Sequence, residues 1–181
     1  MQQFRISYMV TAGLFSLVLL VTALLDATTP ALAQTPKLLT EHKDWAAYAF
    51  SDKKNGRTCF MTSTPVNKKP AKVKHGDVYV MVTHRPKAKI RDEVSVNVGY
   101  PLKPRSEVAI SVGKKSHKMY TSVDTAWSYE EKDDRKLVSA MKAGDDMKVQ
   151  GLSKRGTRVT YRFSLSGFTK AYNAISKACK K

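Results

Sequence analysis

The sequence predicts a domain dominated by β-structure, an antiparallel β-sandwich or barrel with one short internal helix and a helix at the C-terminus. Three observations carry that prediction. Apolar residues recur at every second position in several separate runs, the period of a strand with one face in a core. Each run ends in a cluster of Pro, Gly or Lys, the punctuation of turns. Only two segments show the spacing of a helix face instead.

The first segment concerns export rather than fold. Arg5 precedes an almost wholly apolar stretch from Tyr8 to Leu25, and Ala31-Leu32-Ala33 places small residues before Gln34. Positive start, apolar run and small-residue site together form the pattern of a secretory signal peptide over residues 1–33. Retention of the apolar run as an N-terminal anchor is the alternative, because its length is close to what a bilayer requires. After cleavage no stable transmembrane segment is expected. Residues 34–44 read as a short N-terminal lead, and 45–181 as a single β-rich domain.

Within that domain, Trp45 to Phe50 and Cys59 to Thr64 flank a polar stretch containing Asn55-Gly56, a dipeptide suited to the positive φ of a hairpin turn. Pro65 to Asp77 holds two prolines and four lysines and reads as a long surface loop. Three alternating strands follow, carried by Val78, Val80 and Val82, by Val94, Val96 and Val98, and by Val108, Ile110 and Val112. Further strands are expected at His117 to Thr121, Thr125 to Tyr129, Met147 to Leu152 and Thr157 to Leu165. In the last, Val159, Tyr161, Phe163 and Leu165 make the core face. Trp45 and Trp127 read as core aromatics. Asp133 or Asp134 would cap a helix running to about Ala143, with Gly144 as its stop. A second helix after Ser166-Gly167 aligns Phe168, Tyr172, Ile175 and Cys179 on one face.

Cys59 and Cys179 are the only cysteines. In an exported chain, one Cys on a strand and one on the inward face of a terminal helix most simply form a disulfide. Two buried thiols or a redox-active pair are the alternatives, the latter without the Cys-x-x-Cys spacing it usually has.

Trp45, Cys59-Phe60, Ala140-Met141-Lys142-Ala143-Gly144, Gly151 with Ser153-Lys154-Arg155-Gly156-Thr157, then Ser164-Leu165-Ser166-Gly167-Phe168 and Cys179 stand in an order that resembles the invasion-associated locus B family. These are small exported proteins of alphaproteobacteria. The resemblance spans about residues 41–181. It implies a β-rich domain outside the cytoplasm, in the periplasm or on the outer surface of a Gram-negative cell. For pathogenic members it implies a part in entry into host cells, including red cells. It brings no catalytic residues with it.

The chain has 32 Lys+Arg against 15 Asp+Glu, a formal net charge of +17. Residues 1–33 hold one basic and one acidic residue, Arg5 and Asp26, so the exported part keeps the whole +17. Such a charge favours polyanionic partners. The basic residues cluster in connections: Lys68, Lys69, Lys72 and Lys74 in the first long loop; Arg85, Lys87, Lys89 and Arg91 in the next; then Lys114 and Lys115, and Lys154 and Arg155. These are the candidate anion-binding residues. Anionic lipid, lipopolysaccharide phosphates or sulfated glycans are the expected partners. The bland alternative is that the same charges only keep the protein soluble and its edge strands unpaired. Specific nucleic-acid binding is not expected of an exported chain without a recognition signature.

No catalytic motif is present: no Gly-x-Ser-x-Gly, no His-Glu-x-x-His and no phosphate-binding glycine loop. His42, His75, His84 and His117 are scattered and read as solvated surface side chains, with no metal site or cofactor expected. The expected function is therefore non-enzymatic binding of anionic envelope or host-surface components. The alternatives are a structural or stress-protective envelope protein acting through a protein partner and, after it, a hydrolase whose site is assembled only in space.

Overall fold

A computed structural model describes residues 35–180. The export segment read over residues 1–33 lies outside the described residues. Strands β1 (Lys37–His42), β2 (Trp45–Asp52), β3 (Gly56–Ser63), β4 (Asn67–Lys69) and β5 (Tyr79–Arg85) come first. They are followed by β6 (Ile90–Asn97), β7 (Glu107–Val112), β8 (Lys115–Ser122) and β9 (Thr125–Ser128). Helix α1 (Glu131–Ala143), β10 (Asp146–Leu152), β11 (Arg158–Ser164) and helix α2 (Phe168–Ala178) complete the described chain. All strands join one antiparallel sheet in the order β1-β2-β3-β5-β6-β9-β8-β7-β10-β11-β4.

The sheet is curled and sandwich-like but not closed. Strand β4, its last edge, follows β3 after only Thr64, Pro65 and Val66, so the chain itself draws the far edge back toward β3. At the first edge, Asp44 donates its backbone N–H to the Ser166 carbonyl at 3.3 Å, and the Trp45 indole N–H reaches the Ser164 carbonyl at 3.0 Å. One core fills the interior. It contains the alternating valines of β5, β6 and β7 together with Trp45, Tyr161, Phe163, Phe168 and Ile175. Burying each of the larger side chains contributes about 1.5–3 kcal/mol. Phe168 meets Trp45 edge to face at 4.8 Å and stacks on Tyr172 at 6.3 Å. These contacts seat α2 on the first strands of the sheet, while α1 covers β6.

Register fixes the two ends of the ladder. Leu152 opposite Arg158, Glu107 opposite Tyr120, Ser122 opposite Thr125 and Tyr79 opposite Asn97 lie at one end. Asp146 opposite Ser164, Val112 opposite Lys115, Arg85 opposite Ile90 and Asp52 opposite Gly56 lie at the other.

Several elements differ from the sequence reading. The lead over residues 34–44 contains β1, an edge strand whose pairing with β2 shifts between Leu38 and Thr40. The loop from Pro65 to Asp77 contains the three-residue β4. Glu130, not Asp133 or Asp134, occupies the N-cap of α1. Asp133 lies in the first turn, where a negative charge complements the helix dipole, and Asp134 is buried beside β6. Gly144 stops α1 in an extended conformation rather than a left-handed one. Its missing side chain matters for packing, because a Cβ there would strike the Val112 side chain. Trp127 is half-buried at the sheet surface, unlike the fully buried Trp45.

Candidate functional site: a basic cleft at one end of the sheet

The cleft is built by three connections at the end of the ladder where β10 leads into β11. The turn from Ser153 to Thr157 is tied by Ser153 N–H to the Thr157 carbonyl at 2.9 Å and by the Thr157 N–H to Ser153 Oγ at 3.0 Å. That turn carries Lys154 and Arg155 exposed at its tip. The Lys154 N–H donates to the Pro101 carbonyl at 2.9 Å, which docks the turn on the segment after β6. The third wall is the loop before β5. It approaches so closely that a Cβ on Gly76 would land on the Gly99 carbonyl, and Gly99 itself has φ +70, a conformation glycine adopts without strain. The result is a cleft of about 640 Å³ with Val73, Tyr100, Pro101 and Val159 among its walls and Lys74, Lys154 and Arg155 at its rim.

Behind this wall three polar side chains form a chain. The His75 Nε2 lies 2.9 Å from the Pro70 carbonyl, His75 Nδ1 lies 3.0 Å from the Tyr161 hydroxyl, and that hydroxyl lies 2.7 Å from the Tyr100 hydroxyl. Tyr161 is fully buried, and burial pushes its ionisation far above the ordinary tyrosine range. It stays a neutral hydroxyl.

The candidate basic residues divide between the two ends. Lys74, Lys154 and Arg155 come together at the cleft, from loops 80 positions apart in sequence. None of the three has a carboxylate within ion-pair distance among the described residues. Lys72 is exposed in the same loop, Lys69 is exposed on β4, and Lys68 is half-buried there opposite Tyr161. At the other end, Arg85 Nη2 lies 2.8 Å from both carboxylate oxygens of Glu93. Lys87 Nζ donates to the Lys54 carbonyl at 2.7 Å, and Arg91 Nη2 donates to Ser176 Oγ at 3.2 Å. Arg85, Lys87 and Arg91 therefore hold the fold. Lys89, Lys114 and Lys115 are exposed at that same end, away from the cleft.

The four histidines are not all solvated. His84 is 1% exposed, and its neighbourhood holds the residue types of a Ser–His–Asp relay, with Ser176 Oγ 3.2 Å from Nε2 and Asp92 Oδ1 3.9 Å from Nδ1. The protons are arranged the wrong way for one. The Asp92 backbone N–H donates to Nδ1 at 3.1 Å, so the neutral ring carries its proton on Nε2 and donates to Ser176. A general base needs Nε2 free to accept the serine proton. Asp92 Oδ1 accepts instead from the Tyr172 hydroxyl at 2.7 Å. These bonds brace α2 against β5 and β6. Burial, reinforced by the Arg91 charge, holds His84 below the usual histidine range. His117 is likewise held down by burial and by Lys115, and its Nε2 has no hydrogen-bond partner. Among the described residues no group of three or more His, Cys, Asp or Glu side chains converges to hold a metal ion.

Cys59 and Cys179 form a disulfide with a Cα–Cα distance of 6.0 Å, joining β3 to the end of α2. Among the described residues no helix is long and apolar enough to cross a membrane.

The cleft turn and the bridge coincide with segments that carried the family resemblance. A model of the family described as "Invasion associated locus B (IalB) protein" matches residues 45–176. Neither the curated proteins nor the solved structures contain a match to the chain. The matched span runs from Trp45 at the start of β2 through α1 and into α2 as far as Ser176, and it includes Lys74, Tyr100 and the Ser153 to Thr157 turn. The chain belongs to the invasion associated locus B family.

Proposed function

We propose that this protein is an exported, non-enzymatic binding protein that holds anionic groups of the cell envelope or a host surface in the cleft rimmed by Lys74, Lys154 and Arg155. The observation that carries this reading is the convergence of three exposed, unpaired cations on a concave site with apolar walls. A solubilising charge has no reason to gather in a cleft with apolar walls, and the basic concavity lined by Arg91, Lys177 and Lys180 has only Asn173 and Ser176 beside those cations, with no apolar wall. The signal-like segment, the family and the disulfide support periplasmic or outer-surface placement, which would put lipopolysaccharide phosphates, anionic lipids and sulfated glycans within reach. Binding of this kind would support envelope integrity or attachment to host cells.

Vesicles with and without lipopolysaccharide, and immobilised heparin, test the reading. Each basic residue near an anionic surface contributes about 1 kcal/mol, so reversing all three with Lys74→Glu, Lys154→Glu and Arg155→Glu is expected to weaken binding about 100-fold or more at low salt. The control reverses Lys114 and Lys115 at the opposite end and is expected to stay within about threefold of wild type. Equal losses in the two variants would mean that bulk charge, not the cleft, does the binding.

A further inference from the structure

The cleft's charge explains attraction to anions, and its hydroxyl chain says which anions. The Pro70 carbonyl has no proton to give, so the His75 Nε2 at 2.9 Å must carry one. In the neutral ring Nδ1 is then an acceptor, and the Tyr161 hydroxyl at 3.0 Å donates to it. With its proton committed, Tyr161 can only accept across the 2.7 Å contact from Tyr100. Tyr100 has therefore spent its own proton inward. Tyr100 also lines the cleft with Lys74, Lys154 and Arg155. The phenolic oxygen it keeps for a ligand is an acceptor only.

Resting on the anion-binding reading above, we propose that Tyr100 is a specificity-determining residue that selects polyhydroxylated anions, that is, phosphorylated or sulfated saccharides, over anions attached to a bare alkyl chain. The cations take the charged group, and Tyr100 accepts a hydrogen bond from a neighbouring sugar hydroxyl. An alkyl phosphate offers no such donor and leaves the Tyr100 lone pair facing an apolar group, which costs the binding a hydrogen bond. The aromatic ring and the walls formed by Val73, Pro101 and Val159 suit the flat face of a sugar ring.

Titration calorimetry at about pH 8 with glucose 1-phosphate and n-butyl phosphate as probes separates the outcomes. The same titrations with glucose 6-sulfate and n-butyl sulfate distinguish a phosphate source from a sulfate one. Wild type is expected to prefer the sugar ester over the alkyl ester about fivefold, the worth of one neutral hydrogen bond. Tyr100→Phe is expected to abolish that preference, so that the sugar ester and the alkyl ester bind alike. Tyr161→Phe frees the Tyr100 proton for the cleft, and it is expected to raise alkyl phosphate affinity about fivefold or more, because a donor now meets the anion. Equal affinities for both esters in wild type, or a preference that survives Tyr100→Phe, overturn the selectivity and leave the anion-binding reading standing. If neither ester binds wild type, the anion-binding reading falls, and the selectivity falls with it.

Discussion

Breaking the disulfide between Cys59 and Cys179 perturbs stability in a way the fold makes quantitative. The two residues are 120 positions apart, and a cross-link closing a loop of that size lowers the entropy of the unfolded chain by an amount worth about 5 kcal/mol. The native state should barely change. Helix α2 remains seated by Phe168, Ala171, Tyr172 and Ile175, all buried, and by the Arg57 Nε donating to the Ala178 carbonyl at 2.7 Å. The expected result for a Cys59→Ala, Cys179→Ala double variant is a loss of about 4–5 kcal/mol. At roughly 2–4 °C per kcal/mol for a domain of this size, the thermal midpoint should fall about 10–20 °C. Urea unfolding followed by tryptophan fluorescence reads the first number and a thermal melt the second, and the m-value should rise because the unlinked chain exposes more surface. A loss under about 1 kcal/mol would refute the reasoning. So would hydrogen exchange showing α2 detached while the sheet keeps its protection, since the bridge would then act on one helix and not on the whole unfolded chain.

Stability should also depend on pH through His84. Because burial holds its folded-state ionisation below the ordinary 6.5, the unfolded chain takes up the proton first as pH falls. Stability is thus full above about pH 6.5, declines below it, and levels off once the folded protein is protonated too; His117 adds in the same direction. Urea midpoints across that range should decline less steeply in His84→Asn, even though that variant starts less stable. An identical slope would contradict the assignment. Gly76→Ala should force the Gly76 and Gly99 segments apart, lowering stability by about 1–3 kcal/mol and weakening anion binding together; loss of one without the other would separate the cleft from its glycine contact. Arg85→Ala should cost about 1–2 kcal/mol of stability by stranding Glu93. It should leave vesicle binding within about twofold of wild type, measured by sedimentation.

The parts of the fold that were legible in the sequence were those with a strong local period. The valine runs, the final strand carrying Tyr161 and Phe163, and the Phe168–Tyr172–Ile175 face all became core. Strand β1 leaves no clear period in the sequence because an edge strand has little buried face to impose alternation, and the pairing shift between Leu38 and Thr40 breaks what period remains. Strand β4 is too short to show one. His84 did carry a signal, since it continues the inward positions of Val78, Val80 and Val82, yet its Lys/Arg-rich surroundings suggested solvent. The partners that make its burial tolerable, Asp92, Tyr172 and Ser176, are brought together only by tertiary packing. The same holds for the cleft. Composition showed which residues were basic, but register decided that Lys74, Lys154 and Arg155 share one end while Arg85, Lys87, Lys114 and Lys115 share the other.

The claim that anions bind at the cleft and not over the whole basic surface is tested most directly by residue-resolved NMR titration with glucose 1-phosphate. Saturable amide shifts confined to Gly76, Gly99, Tyr100 and the Ser153 to Thr157 turn are the predicted result. Shifts centred on Arg85 to Arg91 or on Lys114 and Lys115, or weak shifts spread over every basic turn, would contradict it.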